Sequence, residues 1–103
     1  MALKIVWTEK ANNQVIETFQ FWNENNQSNN YSRRLEKEIL KQEKIIANFP
    51  NTGILTDNPD YRVVIVEHFK LFYRIDGETI YIVSFFDSRQ HPAKAMKDLN
   101  QKV

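Results

Sequence analysis

The chain has 103 residues, 42% hydrophobic, 13% aromatic and 26% charged, with 2 glycines, 3 prolines, no cysteine and a formal net charge of +1. That length fits one domain, and seven Phe, four Tyr and two Trp supply enough large apolar area for a core without a metal or disulfide staple. The lack of cysteine excludes thiol nucleophiles, disulfides and cysteine zinc sites, no apolar run approaches the roughly 18 residues that would span a bilayer, and the start MALKIVWTEK lacks the apolar stretch of a signal peptide. A soluble, cytoplasmic protein with no membrane partner is expected.

Leu3 to Trp7 (LKIVW) is a short apolar run with β-branched and aromatic members and is predicted to be a strand. Thr8 follows as a helix N-cap, with Glu9 placed where the helix dipole favours a carboxylate. Ala11, Val15, Ile16, Phe19 and Trp22 then recur at helical spacing, predicting an amphipathic helix from about Glu9 to Asn26, with Phe21 off the stripe. The polar run NNQSNN closes it and opens a second helix from about Tyr31 to Asn48, whose stripe is Leu35, Ile39, Ile46 and Phe49. Phe49-Pro50 stops that helix, because the residue before proline is pushed out of the helical region. Two helices on so short a connection pack as an antiparallel hairpin.

After the turn-rich passage Asn51 to Asp60 the apolar period changes from about 3.6 to 2. Strands are predicted at about Tyr61 to Glu67, Phe69 to Ile75 and Thr79 to Phe86, the last two joined by Asp76-Gly77-Glu78. The order β-α-α-β-β-β describes an α+β domain over residues 1–103, a helical hairpin packed on a largely antiparallel curved sheet.

The glycines stand alone, so no phosphate-cradling loop is present, and His68 and His91 lack a third ligand at metal-site spacing. Neither cofactor nor metal is expected. What remains is cationic. Arg62, Lys70 and Arg74 lie on predicted strands and Arg89 just beyond the last. Strand parity puts Lys70, Phe72 and Arg74 on one face and Leu71, Tyr73 and Ile75 on the other, while Tyr81, Val83, Phe85, Asp87 and Arg89 share a side. Cations interleaved with aromatics suit a nucleic-acid surface, and charges that keep a sheet edge soluble and unpaired give the same pattern. From Ser88 onward the chain carries +3 against −2 for the rest, so residues 92–103 form a basic tail or short helix. On the second helix Arg33, Lys37, Lys41 and Lys44 make a cationic stripe of the kind usually solvated, with Arg34 and Glu38 spaced as an ion pair.

Taken in order, Trp7-Thr8 with Ala11, YSRRL at Tyr31 to Leu35, Phe49-Pro50 with Gly53, Tyr61-Arg62, Phe72-Tyr73-Arg74-Ile75 and the ending Phe85-Phe86-Asp87-Ser88-Arg89-Gln90-His91-Pro92 resemble the RelE/ParE toxin superfamily over residues 3–94. The resemblance implies the toxin of a type II toxin-antitoxin pair, also described as a plasmid stabilization protein, neutralised by a cognate antitoxin from the same operon. It implies one of two targets: the ribosome with its mRNA, cut by RelE-like members acting as mRNA interferases, or DNA gyrase, inhibited by ParE-like members. RelE-like cleavage is metal-free: a 2′-hydroxyl attacks the adjacent phosphate while cations stabilise the developing charge. By the resemblance Lys70 and Arg89 occupy the family's basic positions, His91 stands in as acid or base for a C-terminal tyrosine this chain lacks, and Arg62, Arg74 and Lys94 contact phosphate or target. The long hairpin and missing tyrosine look more like the ParE branch, which needs no catalytic pair. An inactive relative that only binds antitoxin is the alternative.

Overall fold

The computed structural model describes residues 2–88, so Arg89, His91, Lys94 and the basic segment 92–103 lie outside the described residues. Strand β1 (Lys4–Trp7) leads into α1 (Glu9–Asn26) and α2 (Asn30–Asn48), then a 3-10 turn (Pro50–Thr52) and strands β2 (Ile54–Leu55), β3 (Arg62–Val66), β4 (Phe69–Asp76) and β5 (Thr79–Asp87). The five strands form one sheet in the order β1-β5-β4-β3-β2. β1 runs parallel to β5 and every other pair is antiparallel, so the sheet is mixed. A parallel pair needs a long connection, and the helical hairpin helps provide it. β2 was not expected: with two residues it is too short for any period to show.

The helices form for the reasons the sequence suggests. Thr8 Oγ1 accepts the Ala11 N–H at 3.2 Å, and α1 ends on Gln27 in the left-handed region at φ 50°, its N–H returning to the Asn23 carbonyl. Ser32, buried where the two helices meet, donates from Oγ to Asn23 Oδ1 at 2.6 Å. Leu35, Ile39 and Ile46 of α2 and Ala11 of α1 are buried against Val64, Leu71, Ile80 and Ile82 of the sheet. Two expected core residues face water instead. Ile16 is 44% exposed, because it is rotated about 100° from Val15 and leaves the stripe of Ala11, Val15, Phe19 and Trp22. Phe49 is 68% exposed, since it caps α2 at φ −134° and no longer follows the helical direction.

The β1 side of the sheet is partly covered by side chains and by the chain itself. The Leu3 N–H bonds the Ala47 carbonyl, tying β1 to the end of α2. Trp7 Nε1 donates to Glu43 Oε1 beside it. β5 runs on past the end of β1, and there Gln14 Oε1 accepts the Phe85 N–H at 2.8 Å and lies 3.3 Å from Ser84 Oγ. No helix among the described residues is long and apolar enough to cross a membrane. Leu35, with no exposed surface, sits between both layers. Leu35→Ala should therefore lower the unfolding free energy by about 2–5 kcal/mol, while Ile16→Ala should cost under about 1 kcal/mol; urea unfolding of both variants reads the difference, and equal losses would contradict this core.

Candidate target-binding face

Residues paired across a ladder share a face. Lys70 is opposite Ile65 of β3 and Phe86 of β5, and Arg74 is opposite Tyr81, so these side chains lie on the face away from the helices. Arg62 pairs with Tyr73, which belongs to the helix-facing core. The cations are thus divided between two faces. The shared side expected for Tyr81, Val83, Phe85 and Asp87 is also broken. Phe72 pairs with Ser84 while Tyr73 pairs with Ile82, which leaves Val83 as an extra residue in β5. That bulge reverses the alternation, so Tyr81 lies opposite Arg74 whereas Phe85 lies opposite Leu71 in the core.

On the helix-free face the Arg74 guanidinium carbon lies 4.5 Å from the Tyr81 ring centroid, and its Nη1 is 3.6 Å from Asp76 Oδ2. Phe72 and Phe86 stack at 5.3 Å. Lys70 is half-buried beside this stack and forms no ion pair among the described residues. At the other end of the same strands, Asn51, Tyr61, Arg62, Tyr73, Arg74 and Asp76 help to line an open cleft of about 570 Å³.

Arg62 does not stand free as a phosphate clamp. Its Nη1 donates to the carbonyls of Asn51 at 3.1 Å and Gly53 at 2.8 Å, holding the turn that follows α2. Tyr73 works on the same turn: its hydroxyl donates to the Pro50 carbonyl at 2.6 Å and accepts the Gly53 N–H at 2.9 Å. A Cβ on residue 53 would lie 2.5 Å from that hydroxyl oxygen, so only glycine fits. Burial raises the Tyr73 pKa above its ordinary 10.0, opposed by the Gly53 N–H and the Arg62 charge. Sequence reasoning missed this knot because its members lie 20 and 23 residues apart; the signals were Gly53 after Phe49-Pro50 and the tyrosine of the fourth strand.

The β3–β4 turn forms a second junction. Glu67 adopts φ 56°, and its Oε1 lies 3.2 Å from Nε of Arg34. Arg34 therefore pairs with Glu67 and not with Glu38; it also lies 5.0 Å from the Tyr31 ring centroid. The His68 carbonyl accepts both the N–H and the hydroxyl of Ser88 at 2.7 Å, fixing the end of β5 beside this turn. Among the described residues no cluster of His, Asp or Glu could hold a metal ion.

A helical hairpin on a five-stranded mixed sheet, with a cationic and aromatic face turned away from the helices, defines an α+β domain of the RelE/ParE type. The family model for the ParE toxin of the type II toxin-antitoxin system parDE matches residues 5–92, and the chain belongs to that family. A solved structure titled as the chromosomal ParDE TA system from P. aeruginosa is similar in fold, with TM-score 0.70, 19% sequence identity, and 84% of this chain and 96% of that one covered. No curated protein sequence matches the chain.

Tyr73→Phe leaves the buried Gly53 N–H unpaired and should cost about 1–3 kcal/mol in urea unfolding; a cost near zero would mean the knot carries no stability. The raised Tyr73 pKa also has a direction in pH. The unfolded chain releases the tyrosine proton first, so the folded state binds more protons above 10.0 and stability falls as pH rises from there through the raised folded value. Denaturant midpoints followed into alkaline pH should show a shallower decline for Tyr73→Phe than for the parent.

Proposed function

We propose that the chain is a toxin held inactive by a protein antitoxin from its own operon, and that it arrests growth by inhibiting DNA gyrase through surface contact in the cytoplasm. The observation that carries this reading is the engagement of the arginines: Arg62 is spent on the carbonyls of Asn51 and Gly53, and Arg74 on Tyr81 and Asp76. Cations committed to the chain's own groups suit a contact surface better than a phosphate-cleaving centre, which needs charge free to follow a developing oxyanion. The two helices, of 18 and 19 residues, supply the long hairpin that resembles the ParE branch.

One observation favours the second reading, ribosome-dependent mRNA cleavage. Ser88 is held at the His68 carbonyl, so the segment bearing Arg89 and His91 begins at the same end of the sheet as Lys70. On that reading Arg89 and Lys70 stabilise the phosphorane formed by the 2′-hydroxyl, and His91 moves the proton. The third reading, an antitoxin-binding module without a toxic action, requires neither.

Purified chain added at saturation to gyrase, relaxed plasmid and ATP should block supercoiling and leave message intact in a translating extract. Normal supercoiling with transcripts cut, and cutting abolished by Arg89→Ala, would replace this reading with the nuclease. Normal supercoiling, intact transcripts and harmless expression would leave the binding module.

A further inference from the structure

The outward face of α2 is a site that neither the fold nor the toxin reading uses. At about 100° per residue, Arg33, Lys37, Leu40, Lys41 and Lys44 fall within one arc of about 100°. All five are exposed, and Leu40, which keeps 56% of its surface in water, forms one edge of the arc beside Arg33 and Lys44. None of the four cations forms an ion pair among the described residues. Of the acids near them, Glu43 accepts the Trp7 indole N–H and Glu67 pairs with Arg34 on the neighbouring arc, while Glu36 and Glu38 border the stripe on either side without an ion pair among the described residues. The helix thus carries a stripe of positive charge edged by Leu40 and bordered by two carboxylates that pair with none of its cations among the described residues.

The chemistry of the stripe selects its occupant. A membrane surface would need a broad apolar face to insert, and the apolar face of α2, with Leu35, Ile39 and Ile46, is already buried in the core. A nucleic-acid backbone is bound by charge and leaves the exposed leucine beside the cations nothing to contact. An acidic polypeptide with an apolar residue beside its carboxylates matches both elements, charge for charge and side chain on Leu40.

We propose that this face docks an acidic segment of the antitoxin, seated by one apolar side chain on Leu40 and steered by Arg33, Lys37, Lys41 and Lys44. The inference rests on the toxin reading, since it presumes an antitoxin; it places the contact on this chain. The attraction is between solvent-exposed charges and is screened by salt.

The test measures binding of the purified full chain to the antitoxin encoded beside it. The double variant Lys37→Glu with Lys41→Glu should bind at least about tenfold more weakly at about 50 mM salt, mostly through slower association, and the gap should close to under about threefold at about 500 mM. Leu40→Ala should weaken binding at both salts alike. Thermal unfolding of each variant checks the fold; should charge reversal unfold the helix, Lys37→Gln with Lys41→Gln reads the same effect at smaller size. Antitoxin affinity unchanged in the variants overturns the docking face and leaves the toxin reading standing. A parent chain that binds no antitoxin removes the toxin reading and this inference together. Loss in the variants of binding to duplex DNA or to phosphatidylglycerol vesicles, with antitoxin binding intact, assigns the stripe to nucleic acid or lipid instead.

Discussion

The buried hydroxyl of Tyr73 is the hinge pin of the architecture. It belongs to the sheet, yet both its hydrogen bonds go to the turn that leaves α2, donating to Pro50 and accepting from Gly53. A buried N–H and a partly buried carbonyl of the turn are satisfied at once. Arg62 adds a charged donor on the adjacent carbonyls. The path from helical layer to sheet is thereby fixed, and with it the placement of β2 and the cleft beside β4. Because the ring closes so tightly on Gly53, the same contact excludes every side chain at that position.

This arrangement divides labour among the cations. Arg62 works inside the fold, Arg74 lies on an aromatic ring at the surface, Arg34 anchors a hairpin turn, and the α2 stripe faces water. Cations that read alike along the chain differ in solvation and partners once folded, and only those without internal partners retain charge for another molecule.

The fold was largely legible because its signals are local. The Thr8 cap, the stripe of Leu35, Ile39 and Ile46, the proline after Phe49 and the Gly77 turn each act within a few residues. β2 and the parallel pairing of β1 were not legible, since one is two residues long and the other joins segments separated by most of the chain. The candidate site was legible in composition and less so in arrangement. Alternation placed Lys70, Phe72 and Arg74 together correctly, but the extra residue Val83 reversed β5, and no local pattern announces a bulge. Arg62 and Arg34 were assigned by residue type, whereas their partners at Gly53 and Glu67 are neighbours only in three dimensions.

The carboxamide of Gln14 has a consequence for how the chain behaves in a crowded solution. Where β5 outruns β1, one side-chain oxygen occupies the amide that a foreign strand would seek first. Among the described residues the open margins that remain are β1, four residues long, β2, two residues long, and the stretch of β3 from Val64 to Val66 that runs past β2, each too short to template a growing stack of sheets. Margins this short discourage the addition of a foreign strand.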